Sequence, residues 1–92
     1  MYLEIVSPEA TLFSGEVTSV TVPGVNGEFQ MLENHAPVVS LLQEGNVKVQ
    51  GNIKIDEAFQ NKFSKGKNGE TVLAITSGTV EMKDNKVIVL AD

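Results

Sequence analysis

His35 is the only histidine in the chain, and imidazole is the side chain whose ordinary pKa lies near neutrality. As a general base it would need a nucleophile and an orienting carboxylate. Glu33 stands just before it and Ser40 just after. The residue types of an acyl-transfer site are therefore present. No nucleophile motif surrounds Ser40, however, and nearness in sequence does not fix geometry. We set catalysis aside and read the chain as non-enzymatic. One histidine and no cysteine cannot supply the usual zinc shell, so neither a metal nor a cofactor is expected. A ring that fixes its own loop through hydrogen bonds is the plain reading of His35. Glu28 follows the turn residues Asn26-Gly27. It is either an ordinary solvated carboxylate or a charge held outward toward a partner.

These residues sit in an irregular stretch between runs of short strands. Pro23-Gly24 and Asn26-Gly27 are strong turn signals, and His35-Ala36-Pro37 leads into the apolar run Val38-Val39-Ser40-Leu41-Leu42. That run is short and continuous, as in a strand buried on both sides, with Leu41 pointing into the core by alternation. Tyr2 to Val6 reads as a first strand ended by Ser7-Pro8. Phe13 to Val22 reads as one longer strand whose apolar parity changes between Val17 and Val20, which indicates a bulge or a strongly twisted segment after Gly15. Val47, Val49, Ile53 and Ile55 alternate with polar residues, which gives half-buried β structure that Gly51-Asn52 could break into a hairpin. Val72 to Ile75 is a core strand. Gly78 to Met82 and Lys86 to Leu90 flank a three-residue loop, Lys83-Asp84-Asn85, in which Asn85 takes positive φ. Asp56 to Phe63 has two readings: a helical turn capped by Asp56, or a further strand. Ser64 to Gly69 reads as a mobile basic loop. Many short strands with regular turns imply one all-β domain over residues 1–92, a sandwich or flattened barrel.

Composition narrows the partners. Ninety-two residues make one domain with a single thin core. Twelve acidic against seven basic residues give a net charge of −5, which argues against nucleic acid. No apolar run is long enough to cross a bilayer, and the acidic start has the pattern of neither a signal nor a transit peptide.

The segment Val22 to Pro37 resembles the epsilon subunit of F-type ATP synthases, where a glycine-rich turn precedes a Gly-His-Ala-Pro segment. The resemblance extends to Leu3-Glu4-Ile5-Val6-Ser7-Pro8-Glu9, to Leu12-Phe13-Ser14-Gly15, to Ser77-Gly78-Thr79-Val80-Glu81 and to Val87 through Asp92. Only residues 50–70 lack a counterpart. The chain departs from the pattern at Gln30, where glycine is usual, and at Glu33-Asn34, which replaces a common Pro-Gly. Asn34 still tolerates the left-handed conformation.

The resemblance implies a sandwich of two five-stranded sheets. It implies a non-catalytic central-stalk subunit that joins gamma to the c-ring, peripheral on the cytoplasmic face of a bacterial inner membrane. It places Glu28 toward the polar loops of the c-ring and the His35-Ala36-Pro37 segment toward gamma. Alternation adds Gln30 to the ring-facing side, and a run more apolar than one sheet face needs adds Val38, Val39, Ser40 and Leu42 to the gamma-facing surface. Epsilon subunits commonly continue into a helical hairpin after this sandwich; the sequence stops at Asp92, so no hairpin brake is expected of these residues. Two rivals belong to other classes. Biotinyl and lipoyl carrier domains display a modified lysine on a β-hairpin, as Lys83 would be, but Asp84 stands where the biotinyl pattern has a second methionine. A generic β-sandwich adaptor is the other.

Overall fold

The computed structural model describes residues 1–92. Ten strands follow one another: β1 (Tyr2–Val6), β2 (Thr11–Glu16), β3 (Ser19–Gly24), β4 (Gly27–Leu32), β5 (Val38–Leu42), β6 (Gly45–Gln50), β7 (Phe63–Lys65), β8 (Thr71–Ile75), β9 (Gly78–Lys83) and β10 (Lys86–Ala91), with a 3₁₀ helix (Glu57–Lys62) before β7. Five strands run in the order β2-β1-β10-β9-β5. The other five run β4-β3-β6-β8-β7. Only Gly24 on β3 and Leu42 on β5 pair across the two groups. The expected pair of five-stranded sheets is thus one continuous hydrogen-bonded sheet, folded back on itself at a single seam. Val25 N donates to Leu41 O at 3.1 Å and Gln43 N to Pro23 O at 2.9 Å beside that seam.

Period-two patterning builds the space between the layers. Leu3 and Ile5 of β1, Val87 and Val89 of β10, and Val80 and Met82 of β9 face Val20 and Val22 of β3, Met31 of β4 and Val47 and Val49 of β6 in one buried cluster. Burial of each such side chain contributes about 1.5–3 kcal/mol before entropy is charged against it.

Several local expectations are corrected. Phe13 to Val22 is two strands, not one. The chain turns at Val17-Thr18 and ties back there, with Val17 N bonded to Met1 O at 2.9 Å and Thr18 N to Gln50 O at 2.8 Å. The register shift lies between β1 and β2, where Ile5 pairs with Phe13 and Val6 with Thr11, so that Leu12 of β2 is the extra residue. Run Val38–Leu42 is not buried on both sides: Leu42 is 4% exposed, whereas Val39 is 79% and Leu41 63% exposed. Leu41 therefore points outward. Pairing with β9 sets this parity, because Ser40 lies opposite the buried Val80 and Leu41 opposite Thr79. The last hairpin has a two-residue turn, since Lys83 pairs with Lys86. Asp84 (φ 52°) and Asn85 (φ 62°) are both left-handed, the conformation that a two-residue turn of this hand requires.

Between β6 and β8 the chain is less regular. β6 ends at Gln50, and Gly51 takes φ 141°. Ile53 and Ile55 still pack against the core, but the alternation continues without a strand partner. Asp56 caps the 3₁₀ helix by accepting from Ala58 N at 2.9 Å, so the helical reading of Asp56 to Phe63 holds up to Lys62. Ser64 and Lys65 belong to β7, opposite Val72 and Thr71. The loop that remains is closed by Gly66 N to Glu70 O at 2.8 Å and by Asn68 N to the Glu70 carboxylate at 2.9 Å.

Candidate interaction surfaces

The β3–β4 hairpin closes through Val25-Asn26, with Gly24 opposite Gly27. Gly27 has φ 124°, and a Cβ on Gly24 would lie 2.9 Å from the Phe29 ring and 2.8 Å from Gly27 O. Both glycines are therefore required by geometry. Along β4, Phe29 and Met31 turn inward, while Glu28 and Gln30 are exposed. The expected division of this strand into an anchoring face and an outward face is found. Glu28 is not free, however: its Oε2 lies 3.1 Å from Lys48 Nζ on β6. Both side chains are substantially exposed, so the pair contributes only about 0–1 kcal/mol and is easily exchanged for another partner.

His35 is half-buried and makes a loop-fixing contact: its Nδ1 lies 2.7 Å from the Ala36 carbonyl. Its backbone N donates to Leu32 O at 3.1 Å, closing a turn through Asn34, which adopts φ 59°. Neither Glu33 nor Ser40 bonds the ring. Glu33 instead accepts from Asn85 Nδ2 at 3.1 Å and from the Met1 ammonium group. Asn85 Oδ1 also accepts from Asn34 N at 2.8 Å. One asparagine in the β9–β10 turn thus clamps the whole Glu33–His35 turn. The ammonium hydrogen bond, then the Asn85 bond, holds the Glu33 carboxyl below its ordinary pKa. The same contact with Glu33 raises the Met1 ammonium above its ordinary value. Ser40 Oγ donates to Leu41 O at 3.1 Å.

Residues named for gamma do not share one face. Val39 points to solvent. Val38, Ser40 and Leu42 alternate to the other side, with Leu42 in the core, so Leu42 cannot be part of an exposed surface without unfolding β5. Leu41, expected to point inward, and Leu90 and Val25, not singled out by the sequence, are all exposed. Leu90 (50% exposed) lies opposite Thr79, which in turn lies opposite Leu41. Val25, Leu41 and Leu90 line one shallow cavity with Thr79 and Gly78. Four of the five large apolar side chains exposed on the molecule, Val25, Val39, Leu41 and Leu90, thus belong to the β5–β9–β10 side or the seam beside it. The signal in the sequence was the pair of apolar residues out of phase with their buried neighbours, which only the strand register reveals.

A family model for the beta-sandwich domain of the ATP synthase delta/epsilon chain matches residues 1–92. This chain belongs to that family. The ATP synthase epsilon chain of Campylobacter curvus is 37% identical over 92 residues, an alignment covering 100% of this chain and 60% of that protein. That of Chlorobium limicola is 37% identical over 90 residues, covering 98% and 86%. The present chain therefore spans between three-fifths and nearly nine-tenths of the length of these two epsilon chains. In fold it is similar to a chain from the central stalk and c-ring of Tetrahymena thermophila mitochondrial ATP synthase, with a TM-score of 0.73 at 15% identity, covering 99% of this chain and 62% of that one. Membership in the delta/epsilon family favours the stalk reading over a lysine carrier. The geometry agrees: Lys83 is a strand residue, and Asp84-Asn85 occupies the hairpin tip.

Proposed function

We propose that this chain is the β-sandwich part of an ATP synthase epsilon chain, a non-catalytic element of the central stalk at the cytoplasmic face of a bacterial inner membrane. In this reading it binds gamma through one surface and the c-ring loops through another, and turns with both. The observation that carries it is the segregation of two outward faces on a fold of this family. Val39, Leu41 and Leu90 put apolar side chains on the outer face of one layer, with Thr79 and Glu81 among them, which suits a protein contact with an apolar centre. Glu28 and Gln30 form a polar rim on the other, beside Lys48. Rim charges of this kind tune association and register more than fold. His35 and Asn85 then act as scaffold, holding the turn between these faces.

The test is assembly with the gamma subunit and c-ring of the same cell. Glu28→Cys, paired with a cysteine in the ring loop, should cross-link in a coupled enzyme under mild oxidation. Glu28→Lys should leave folding and gamma binding intact and reduce proton-driven ATP synthesis. A coupled enzyme that gives no cross-link and tolerates Glu28→Lys would remove the ring contact. Failure to bind gamma at all would remove the stalk reading.

A further inference from the structure

Charge in this chain is strongly polarised. Lys48, Lys54, Lys62, Lys65 and Lys67 place five of the seven basic residues between positions 48 and 67, where the only acidic residues are Asp56 and Glu57. The rest of the molecule is correspondingly more acidic than its net charge of −5 shows. Within this basic stretch lies a cleft of about 320 Å³. Ile53, Ile55 and Phe63, half-buried against the core, give it an apolar floor. Lys54 and Lys65 stand at its rim, and neither has a carboxylate within ion-pair distance. Lys65 Nζ reaches only a neutral oxygen, Thr71 Oγ1, at 3.3 Å.

The walls carry a second, independent feature. β7 ends its layer and pairs with β8 along one edge alone. Across the cleft, Ile53-Lys54-Ile55 lies outside every strand and helix, and no backbone–backbone hydrogen bond outside the regular elements engages residues 51–55. Of that segment, only the Ile55 carbonyl has a partner, accepting from Gln60 Nε2 at 3.3 Å. Unpaired backbone beside an open sheet edge is a template for an added strand. Peptide recognition by strand addition combines such backbone pairing with pockets for alternate side chains.

We propose that this cleft binds an extended acidic segment of a partner protein, added as a strand along β7. Alternate apolar side chains of the segment enter the Ile53–Ile55–Phe63 floor. Its outward carboxylates pair with Lys54, Lys65 adds positive charge from the Phe63 face of β7, and backbone amides on both walls take up its polar groups. Carboxylates are selected because the two rim lysines have no carboxylate within ion-pair distance. A strand is selected because the free hydrogen-bonding groups lie on the backbone. The inference is independent of the stalk assignment.

The test uses the folded chain and the synthetic peptide acetyl-Glu-Val-Glu-Val-Glu-Val-amide, observed by methyl and amide NMR. Saturable shifts are expected at the Ile53 and Ile55 methyl groups, with slowed amide exchange at residues 53–55. Raising salt from low to about 0.5 M should weaken binding roughly tenfold or more, because exposed charge pairs are screened. The K54E/K65E variant should lose the acidic peptide and gain its lysine counterpart, acetyl-Lys-Val-Lys-Val-Lys-Val-amide. Thermal unfolding of that variant checks that the fold persists, since both lysines are exposed. No saturable shift at millimolar peptide overturns the proposal, as does equal binding of both peptides. Shifts produced by laurate but not by the peptide would show a small-amphiphile pocket and would overturn it equally.

Discussion

Leu41→Asp should weaken gamma binding without melting the protein, and Leu42→Ala should melt it. The two residues are neighbours in sequence and lie on opposite sides of β5. Leu41 is 63% exposed. Full burial of a leucine side chain is worth about 1.5–3 kcal/mol, so covering the part still exposed makes roughly 1–2 kcal/mol available to a partner. An aspartate there forfeits that contribution and strands a carboxylate in the contact, which adds about 1–3 kcal/mol. The summed loss of about 2–5 kcal/mol corresponds to roughly 30-fold to several-thousand-fold in affinity. In the free protein the change is solvated and should cost within about 0.5 kcal/mol. Leu42 is 4% exposed. Removing its side chain should cost about 2–5 kcal/mol of stability. For a domain of this size that lowers the melting temperature by about 10 °C or more. Calorimetric titration with gamma and thermal unfolding by circular dichroism read the two effects separately. If Leu41→Asp melts like Leu42→Ala, the parity of β5 is wrong. If it binds gamma normally, this face is not the interface.

Gly78→Ala should destabilise by about 1–3 kcal/mol, because the added Cβ runs into the Leu90 carbonyl oxygen; an unchanged urea midpoint would contradict the close approach of β9 and β10. Asn85→Ala should cost about 1–2 kcal/mol, and Asn85→Gly less, because glycine keeps the left-handed turn and loses only the bonds to Glu33 and Asn34; equal losses for both would show that the clamp, not the backbone, matters. The Glu33–ammonium contact should give stability that is level between the two ordinary pKa values, 4.5 and 8.0. The lowered Glu33 pKa makes its contribution fall away as pH drops below that window, and the raised Met1 pKa makes it fall away as pH rises above it. The melting temperature of wild type minus that of Glu33→Gln, followed across pH, should show both declines; a difference that does not vary with pH would exclude the linkage.

Much of the fold was legible where alternation was clean. On β4, Phe29 and Met31 against Glu28 and Gln30 gave the correct faces, because apolar and polar residues do not exchange sides of a pleat without cost. On β5 the same reasoning failed, since Val38, Val39, Leu41 and Leu42 are all apolar and either parity looks acceptable. Register with β9 decided it, and register is a long-range fact. The break at Val17-Thr18 was read as a bulge within one strand because its cause lies elsewhere: Met1 and Gln50 supply the hydrogen bonds that stop the ladder. Asn34 was read correctly as a left-handed residue. Its partner Asn85 was read as a turn former, but the bond between them spans 51 positions and leaves no local trace. Residues 50–56 keep a strand-like alternation because Ile53 and Ile55 pack on the core, although no neighbouring strand pairs with them.

The single seam at Gly24 and Leu42 has a mechanical consequence. Each five-stranded layer is laced by hydrogen bonds along its strands and is stiff in its own plane. Between the layers lies interdigitated hydrocarbon, with strand pairing at one corner and a few polar ties elsewhere, chiefly Asn85 and the Met1 ammonium on the Glu33-Asn34 turn. Such a body is a laminate: it resists bending, and its softest deformation under twist is shear of one plate over the other against these few ties. A shaft applying load to the β5–β9–β10 plate, with a ring gripping the β3–β4 plate, would therefore store elastic energy in the core side chains rather than in the backbone ladders. The grip on each plate could stay fixed while the angle between the plates yields and recoils.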